Sequence, residues 1–472
     1  MVFNSLVFLL FFAIISVLYF ASPNKGIQKL ILTVGSYFFY GYFYAPYVLI
    51  LLVSTAFNYF VGIRLAKAPD GHRGYWMFAS LLSNLGLLAF FKYSAFIAES
   101  ISAVAPILPA ELNNTFTSII LPIGISYYTF QTMSYNIDIY RKNLEPTKSF
   151  LDFGFFVSFF PQLVAGPIVR AADFLPQAVG QIKVRFDFDK YMWGLSLLVM
   201  GLFGKVVLAD TIVAPVADDV FANAADAGFA AAWVGTLAFS AQIFFDFSGY
   251  SLAAIGVALS LGYTLPDNFR FPYAATGFSD FWRRWHISLS TWLRDYLYIS
   301  LGGNRGGTVG TYRNLCLTML LGGLWHGAAW TFVVWGALHG GLLVAERLAQ
   351  PAINKAAALL PRVMGLAVGI LITYICVCFT WVFFRATNFA DAWAITVAMA
   401  SPWNWGDIPS GALGVVGVTL FMLSYHALLR KSTIEDFFVA LPASARILML
   451  AAGAFLVLTI GEEQRAFIYF QF

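Results

Sequence analysis

Charged residues are scarce in this sequence. Asp, Glu, Lys and Arg together make up 11% of its 472 residues, whereas 60% are hydrophobic. Soluble domains carry about 25% charged residues, so the composition excludes a protein surrounded mainly by water. A membrane-spanning helix needs about 20 mostly apolar residues, and apolar stretches recur from residues 6–20 to residues 447–459. The composition predicts an all-α, polytopic membrane protein that forms a single domain over residues 1–472.

Cysteine is also rare. Cys316, Cys376 and Cys378 lie within apolar stretches, and they offer neither the paired spacing of a zinc site nor a disulfide framework. We interpret them as packing residues and predict no metal site and no permanently bound cofactor. The net charge of +4 is small, and the basic residues cluster between apolar segments, which is typical of topology signals and not of nucleic-acid binding.

The basic clusters predict the membrane topology. The first apolar stretch lacks a basic start and a convincing cleavage site, so we expect a retained helix and not a signal peptide. Lys and Arg in short loops are kept on the cytoplasmic side, which places the cluster at Arg141 and Lys142 inside. Residues 99–118 and 210–226 contain no Lys or Arg, and we expect them on the outer face, with the N-terminus outside.

Two segments do not fit simple membrane spans. Residues 151–169 are interrupted by Pro161 and Pro167, which predicts a re-entrant hairpin, because non-helical backbone at membrane depth requires surrounding protein or a water-filled cavity. Residues 269–312 interleave tryptophan with arginine, a pattern typical of a membrane interface, so we expect this segment on the cytoplasmic surface. The absence of an internal repeat disfavours an inverted-repeat transporter.

The placement of histidine is more informative than its abundance. Of five histidines, His326 stands in LGGLWHGAAWT, inside the apolar stretch 315–345, where Gly323 and Gly327 favour a hairpin or broken helix. An ionisable group at that depth is costly, so a functional role is the default hypothesis. A neutral imidazole can take the proton of a hydroxyl as it attacks an acyl thioester. A structural histidine bonded to a helix carbonyl is the alternative.

The neighbouring histidines receive different interpretations. For His339, in ALHGG, we favour a structural role. His286 lies among arginines in FWRRWHISLSTWLRDY, where Arg283, Arg284 or Arg294 would hold the phosphates of a donor at its entrance. A solvated histidine on an interfacial amphipathic helix fits the same composition.

Two further sets of polar residues lie within apolar stretches. Such groups either line a tunnel or join helices by hydrogen bonds, and we favour the second role. The two sets are Gln242, Asp246 and Ser248, and Ser126, Gln131, Ser134, Asn136 and Asp138.

The sequence contains no GxSxG or HExxH motif. A soluble-type hydrolase or metalloprotease mechanism therefore has no support.

Several motifs together resemble one known family. The runs FWRRWHISLSTWLRDYLYISLGGNR and LWHGAAWTFVVWGALHG are similar to the signature of the bacterial membrane-bound O-acyltransferases, as are LPIGISYYTFQTMSYNIDIYR, FFPQLVAGPIVRAADFLPQ and FFDFSGYSLAAIG. The resemblance implies about 10–12 transmembrane helices, with re-entrant and interfacial helices, around a central tunnel. It places a motif-rich catalytic core at about residues 121–345.

The resemblance also implies a function. His326 falls on the catalytic histidine of the family and His286 on its second motif histidine. Acetyl-CoA or another acyl donor would enter from the cytoplasm, and acetyl groups would pass across the membrane to an exported polysaccharide, alginate or a similar exopolysaccharide. A periplasmic acetyltransferase, polysaccharide export machinery and membrane lipid are the implied partners, in the bacterial cytoplasmic (inner) membrane.

Three alternatives stay open at this point. The acceptor could be another cell-envelope polymer, such as peptidoglycan, cellulose or teichoic acid. The chain could be a lipid or protein acyltransferase of the same superfamily, which would need a wider apolar groove beside His326. A transporter or flippase would use the polar residues at membrane depth for substrate movement.

Overall fold

The computed structural model describes residues 1–104, 120–164, 166–180, 183–460 and 465–470, which contain helices and no β-strand. The chain forms two compact units. The first contains Met1–Leu198 and Ser251–Pro266, and the second contains Val199–Tyr250 and Asp267–Phe472. The expectation of a single functional domain stays a prediction.

The first unit contains the N-terminal helices. Side-chain caps define several helix starts: the Ser5 hydroxyl accepts from the Phe8 N–H, and the Asn24 side chain accepts from the Ile27 N–H. A π-helical turn, Ala89–Tyr93, connects the helix Asp70–Leu88 to the helix Ser94–Val104. The helices are α1 (Leu6–Ala21), α2 (Lys25–Gly41), α3 (Pro46–Lys67), α4 (Asp70–Leu88), α5 (Ser94–Val104), α6 (Ile125–Tyr140), α7 (Phe150–Ser158), α8 (Phe160–Leu163), α9 (Ala171–Val179) and α10 (Phe188–Leu202), the last of which continues into the second unit.

A buried network of uncharged polar side chains joins α3, α4 and α6. The Asn136 amide donates to Oδ1 of Asn58 and to Oγ of Ser80, both at 2.9 Å. Asn84 donates to the same Asn58 oxygen at 2.8 Å and accepts from the Thr132 hydroxyl at 2.9 Å. The preferred interpretation of Asn136 as a helix-joining residue agrees with these contacts.

The second unit begins with a π-helical stretch, Phe203–Val213, that continues α10. Short 3-10 turns lie at Ala224–Asp226, Pro272–Ala274 and Ile468–Phe470, and a π-helical turn lies at Leu293–Tyr298. The remaining helices are α11 (Ala214–Ala222), α12 (Phe229–Ser260, shared with the first unit), α13 (Phe278–Trp282), α14 (Ile287–Trp292), α15 (Gly307–His326), α16 (Trp330–Ala358), α17 (Arg362–Arg385), α18 (Phe389–Met399), α19 (Ala412–Leu428), α20 (Ile434–Ala440) and α21 (Ala443–Ile460).

Within the described residues, 7 helical stretches are long and apolar enough to cross a membrane. Three shorter apolar helices, α1, α18 and α19, have 16, 11 and 17 residues. The all-α fold and the multi-pass membrane character are confirmed, while the number of crossings and the central tunnel stay predictions. The long stretches are Pro46–Lys67, Asp70–Ala103, Phe188–Ala222, Phe229–Ser260, Trp330–Ala358, Arg362–Arg385 and Ala443–Ile460.

The segment around Pro161 is broken, as its prolines predict. Helices α7 and α8 contain 9 and 4 residues and are separated at Phe159. At about 1.5 Å per residue, neither can span a bilayer. The side chains from Phe153 to Leu163 are buried, so protein surrounds the irregular backbone. Its re-entrant character stays a prediction.

The segment 269–312 differs from the interfacial arrangement expected for its rings. Trp285 is 1% exposed and Trp292 is 5% exposed, whereas the side chain of Arg283 is 68% exposed. Trp285 and Trp292 therefore pack into the core of the second unit and do not form an aromatic belt at the surface, whereas Trp282 is half-buried. Composition alone could not distinguish tryptophans at a membrane interface from tryptophans in a protein core. In both cases the rings are removed from water while the neighbouring guanidinium groups reach it.

Candidate active site

His326 is the last residue of α15, at the break of a tight helical hairpin. Gly327 follows with extended backbone, φ −154° and ψ 148°, and α16 begins at Trp330. Glycine allows the two helices to touch: a Cβ at Gly323 would lie 2.3 Å from the Phe332 carbonyl oxygen, and one at Gly336 would lie 2.3 Å from that of Met319. The predicted break near His326 is confirmed.

The His326 imidazole lies in an aromatic cage and is 3% exposed. Its ring centroid is 5.0 Å from that of Trp325 and 5.1 Å from that of Trp335. Phe384, on α17, lies at 5.4 Å. Such surroundings exclude bulk water from the imidazole.

His286 is fully buried and is held in an unusual backbone conformation. It precedes α14 with φ 43° and ψ 55°, in the left-handed region that residues other than glycine rarely adopt. Backbone hydrogen bonds clamp it on both sides: the Ile287 N–H donates to the Asn268 carbonyl and the Arg270 N–H to the Arg284 carbonyl, both at 2.9 Å. Strained residues that are held this firmly cluster at functional sites.

The neighbours of His286 also determine its tautomer. Oδ1 of Asn268 accepts from the Ser288 hydroxyl at 2.9 Å and from the Ser288 N–H at 3.3 Å, so this atom is the oxygen of the amide. The same oxygen lies 3.0 Å from Nδ1 of His286. Nδ1 must therefore carry the proton in the neutral ring, which leaves the lone pair on Nε2.

The fold brings the two histidines together. The ring centroids of His286 and His326 are 6.2 Å apart, although 40 positions separate the residues in the sequence. The complete burial of His286 contradicts its interpretation as a solvated interfacial histidine. The packing of the tryptophan side chains buries this segment. The sequence pattern contained no signal of this burial.

His339 has a structural environment, as the sequence analysis favours. The Thr380 hydroxyl donates to the Val377 carbonyl at 2.7 Å, so its oxygen is the acceptor for Nε2 of His339 at 3.0 Å. This hydrogen bond joins α16 to α17. Such interhelical bonds are a common way to satisfy a polar side chain within a membrane.

The three arginines proposed for the donor entrance differ in exposure. The side chains of Arg283 and Arg294 are 68% and 61% exposed, and Arg294 pairs with the adjacent Asp295 at 2.6 Å. Arg284 is 16% exposed and donates to Asp280 at 3.0 Å. Only Arg283 and Arg294 therefore present guanidinium groups outward.

Asp280 is the centre of a small ion-pair network. Arg430 reaches it from the end of α19 at 2.8 Å, opposite Arg284. Burial alone would raise the pKa of Asp280, but the Arg284 and Arg430 guanidiniums hold it below its ordinary value of 3.8. This network fixes the segment that precedes His286.

A segment that the sequence analysis did not single out also reaches the site. The ring of Tyr469 lies 5.5 Å from that of His326 and 6.2 Å from that of Phe384. Phe467 is fully buried, and its ring lies 5.6 Å from that of Phe247. The only signal in the sequence was a short aromatic run, FIYF, which composition cannot distinguish from ordinary packing residues.

Among the residues that the structure describes, no group of three or more His, Cys, Asp or Glu side chains is arranged to hold a metal ion. Cys316, Cys376 and Cys378 are free thiols.

The sequence is similar to one protein family and to several known proteins. Residues 112–386 match the membrane-bound O-acyltransferase family. The chain is 42% identical to a probable alginate O-acetylase of Azotobacter vinelandii over 432 residues, 90% of this chain and 83% of that protein. It is 38% identical to a peptidoglycan O-acetyltransferase of Helicobacter pylori, over 86% of this chain and 77% of that protein.

A more distant relative has a different transferred group. A teichoic acid D-alanyltransferase of Bacillus subtilis is 28% identical over 280 residues, 57% of this chain and 69% of that protein. The family match covers His286, His326 and the whole hairpin formed by α15 and α16. The chain belongs to the membrane-bound O-acyltransferase family and is a multi-pass membrane acyltransferase.

Proposed function

We propose that the chain is an O-acetyltransferase that passes acetyl groups from a cytoplasmic donor across the membrane for O-acetylation of an exported polysaccharide. The observation that carries this proposal is the buried pair of His286 and His326 at the break between α15 and α16, with ring centroids 6.2 Å apart. A buried imidazole inside an aromatic cage suits proton abstraction from a hydroxyl.

The proposed chemistry assigns His326 as the general base. Its neutral imidazole takes the proton of the acceptor hydroxyl while that oxygen attacks the acyl carbonyl carbon of a thioester donor. A carbon–oxygen bond forms, the carbon–sulfur bond breaks, and the proton passes from the imidazolium to the departing thiolate. His286, with its lone pair on Nε2, is proposed to orient or stabilise the imidazole of His326.

The donor is proposed to be acetyl-CoA or another acyl thioester. Arg283 and Arg294, both largely exposed, are proposed to bind its phosphates, since guanidinium groups pair well with phosphate oxygens. Arg284 is proposed to support the entrance through its ion pair with Asp280. No permanently bound cofactor is part of the proposal.

The proposed acceptor is one of the polymers on which the similar proteins act. Alginate or a similar exopolysaccharide is the first candidate, because the relatives with 42% identity are described as alginate O-acetylases. Peptidoglycan is the second, because the Helicobacter pylori relative acetylates it. A periplasmic acetyltransferase and the polysaccharide export machinery are the proposed partners, and the bacterial inner membrane is the proposed location.

The experiment is transfer of labelled acetyl from acetyl-CoA in proteoliposomes, with polysaccharide and candidate partner on the side opposite the donor. We expect the unaltered protein to label the acceptor and His326→Ala to fail. His72→Ala is the matched control, because His72 is exposed near the start of α4. Equal labelling by His326→Ala would reject His326 as the base. Movement of the donor itself, without acetyl transfer, would favour a transporter or flippase.

A further inference from the structure

A buried ion cluster lies in the second unit, away from the two histidines described above. Lys205 is 1% exposed and contacts the carboxylates of Asp210, at 2.8 Å, and of Asp246. Asp210 and Asp246 are 7% and 1% exposed. Charged groups are costly at membrane depth, so a cluster of three calls for a role beyond ordinary packing.

The π-helical stretch Phe203–Val213 builds this cluster. In a π-helix, residues i and i+5 lie above one another, so Lys205 and Asp210 share a face that an α-helix would not give them. Gly249 then lets α12 approach the backbone of residues 201–205 closely. A Cβ at position 249 would lie 2.5 Å from the Gly201 carbonyl oxygen and 3.0 Å from the backbone nitrogen of Lys205. Asp246, one turn earlier on α12, is thereby held against Lys205.

The second oxygen of Asp246 binds the 465–470 segment. The Ile468 N–H donates to Oδ2 of Asp246 at 2.8 Å, across 222 positions of sequence. This backbone amide lies between the buried Phe467 and the Tyr469 ring that contacts His326. At the other end of the segment, Arg465 pairs with Asp218, which also accepts from Arg385 at 2.7 Å.

We propose that Asp246 is a positioning residue for acetyl transfer, which anchors the 465–470 segment through the Ile468 N–H and thereby holds Tyr469 against His326. Lys205 contacts Oδ1 of Asp246, so that Oδ2 faces the segment and accepts from the Ile468 N–H. Irregular backbone inside a membrane protein needs a partner for each amide, and a carboxylate is a strong acceptor for one. This inference rests on the proposed role of His326.

The first test removes one N–H and leaves every buried charge in place. Ile468→Pro lacks the donated N–H, whereas the matched control Ile468→Val keeps it together with a branched apolar side chain. In the full-length, detergent-solubilised protein, trypsin cleavage after Arg465 is followed by mass spectrometry of the released peptide that begins at Ala466. We expect Ile468→Pro to release this peptide at least about tenfold faster than the unaltered protein, and Ile468→Val to match it.

The second measurement is acetyl transfer with the same variants. We expect Ile468→Pro to lower kcat by about tenfold to a hundredfold, because small displacements at a reacting group have large effects on rate. The KM for acetyl-CoA should change less than about twofold. Asp246→Asn should change release and kcat in the same directions, while its control Asp226→Asn, an exposed aspartate, should change neither.

The outcomes separate this inference from the proposed function. Faster release with unchanged kcat, or lower kcat with unchanged release, would each overturn Asp246 as a positioning residue. If His326→Ala loses transfer but Ile468→Pro behaves as the unaltered protein in both measurements, the proposed function stands and the anchor fails. If His326→Ala retains transfer, His326 is rejected as the base and the positioning role of Asp246 falls with it, while acetyl transfer by the unaltered protein still supports an acetyltransferase.

Discussion

Two buried polar clusters, one in each unit, are built in different ways. In the first, uncharged amides and hydroxyls around Asn58 and Asn136 bond to one another across three regular helices. In the second, the charged Lys205 and Asp246 connect a π-helical stretch to the 465–470 segment. Uncharged networks suffice to join helices. Full charges are also largely buried in the first unit, where Lys29 pairs with Asp152. The difference lies in what the charges hold, because Asp246 is proposed to anchor the segment whose Tyr469 lies beside His326.

The largest effect is expected at the centre of the second unit. His326→Ala should lower acetyl transfer by at least about 10²-fold, because it removes the general base. The protein should still accumulate in the membrane, since the glycine contacts that close the hairpin do not involve the imidazole. Initial rates normalised to the amount of purified protein measure this. Transfer within about twofold of the unaltered protein would contradict the assignment.

A more selective change separates the two nitrogen atoms of His286. His286→Asn keeps a donor close to the position of Nδ1, opposite Asn268, and asparagine tolerates the left-handed backbone. It deletes Nε2. We expect transfer to fall by about 10–10²-fold with little change in thermal stability, because the structural contact is retained while the lone pair is lost.

The control for this variant is Asn268→Ala, which removes the acceptor of the Nδ1 proton and keeps the imidazole. It should reduce transfer less than His286→Asn does. Unfolding temperature and initial rate, measured on the same preparations, distinguish a structural role of His286 from a chemical one. Unchanged transfer in His286→Asn would mean that His286 serves the fold alone.

The opposite result is expected in the first unit. Asn136→Ala removes two hydrogen bonds at 2.9 Å and should destabilise the protein by about 1–2 kcal/mol. The rate per folded molecule should stay unchanged, because this network joins helices of the first unit. Thermal unfolding in detergent and specific activity measure the two effects, with the exposed Asn143→Ala as the control. A large loss of specific activity would break the contrast between the units.

The smallest effect concerns pH. The pKa of Asp280 lies below its ordinary value of 3.8 in the folded protein, so this carboxylate contributes stability above about pH 4. That contribution is lost as the pH falls through the folded pKa. Asp280→Asn should lower stability near neutral pH and flatten the acid limb of the unfolding temperature below about pH 5. An unchanged acid limb would show that Arg284 and Arg430 do not stabilise this charge.

Much of this architecture follows from local sequence. Scarcity of charge and long apolar runs predict the all-helical membrane fold, because lipid leaves few other ways to satisfy the backbone. Gly323 and Gly327 predict the hairpin break at His326, and Pro161 predicts the break near Phe159. These features depend on residues close together in the chain, whose conformational preferences act without the rest of the fold.

The sequence by itself determined the membrane class, the family and His326 as the first candidate for chemistry. Only the tertiary structure decided that His286 is buried beside it with its lone pair on Nε2, and that Trp285 faces the core. It also decided that Asp246 meets Ile468 across 222 positions. The physical reason is that burial and pairing depend on which distant side chains converge, and neither composition nor helical periodicity contains that information.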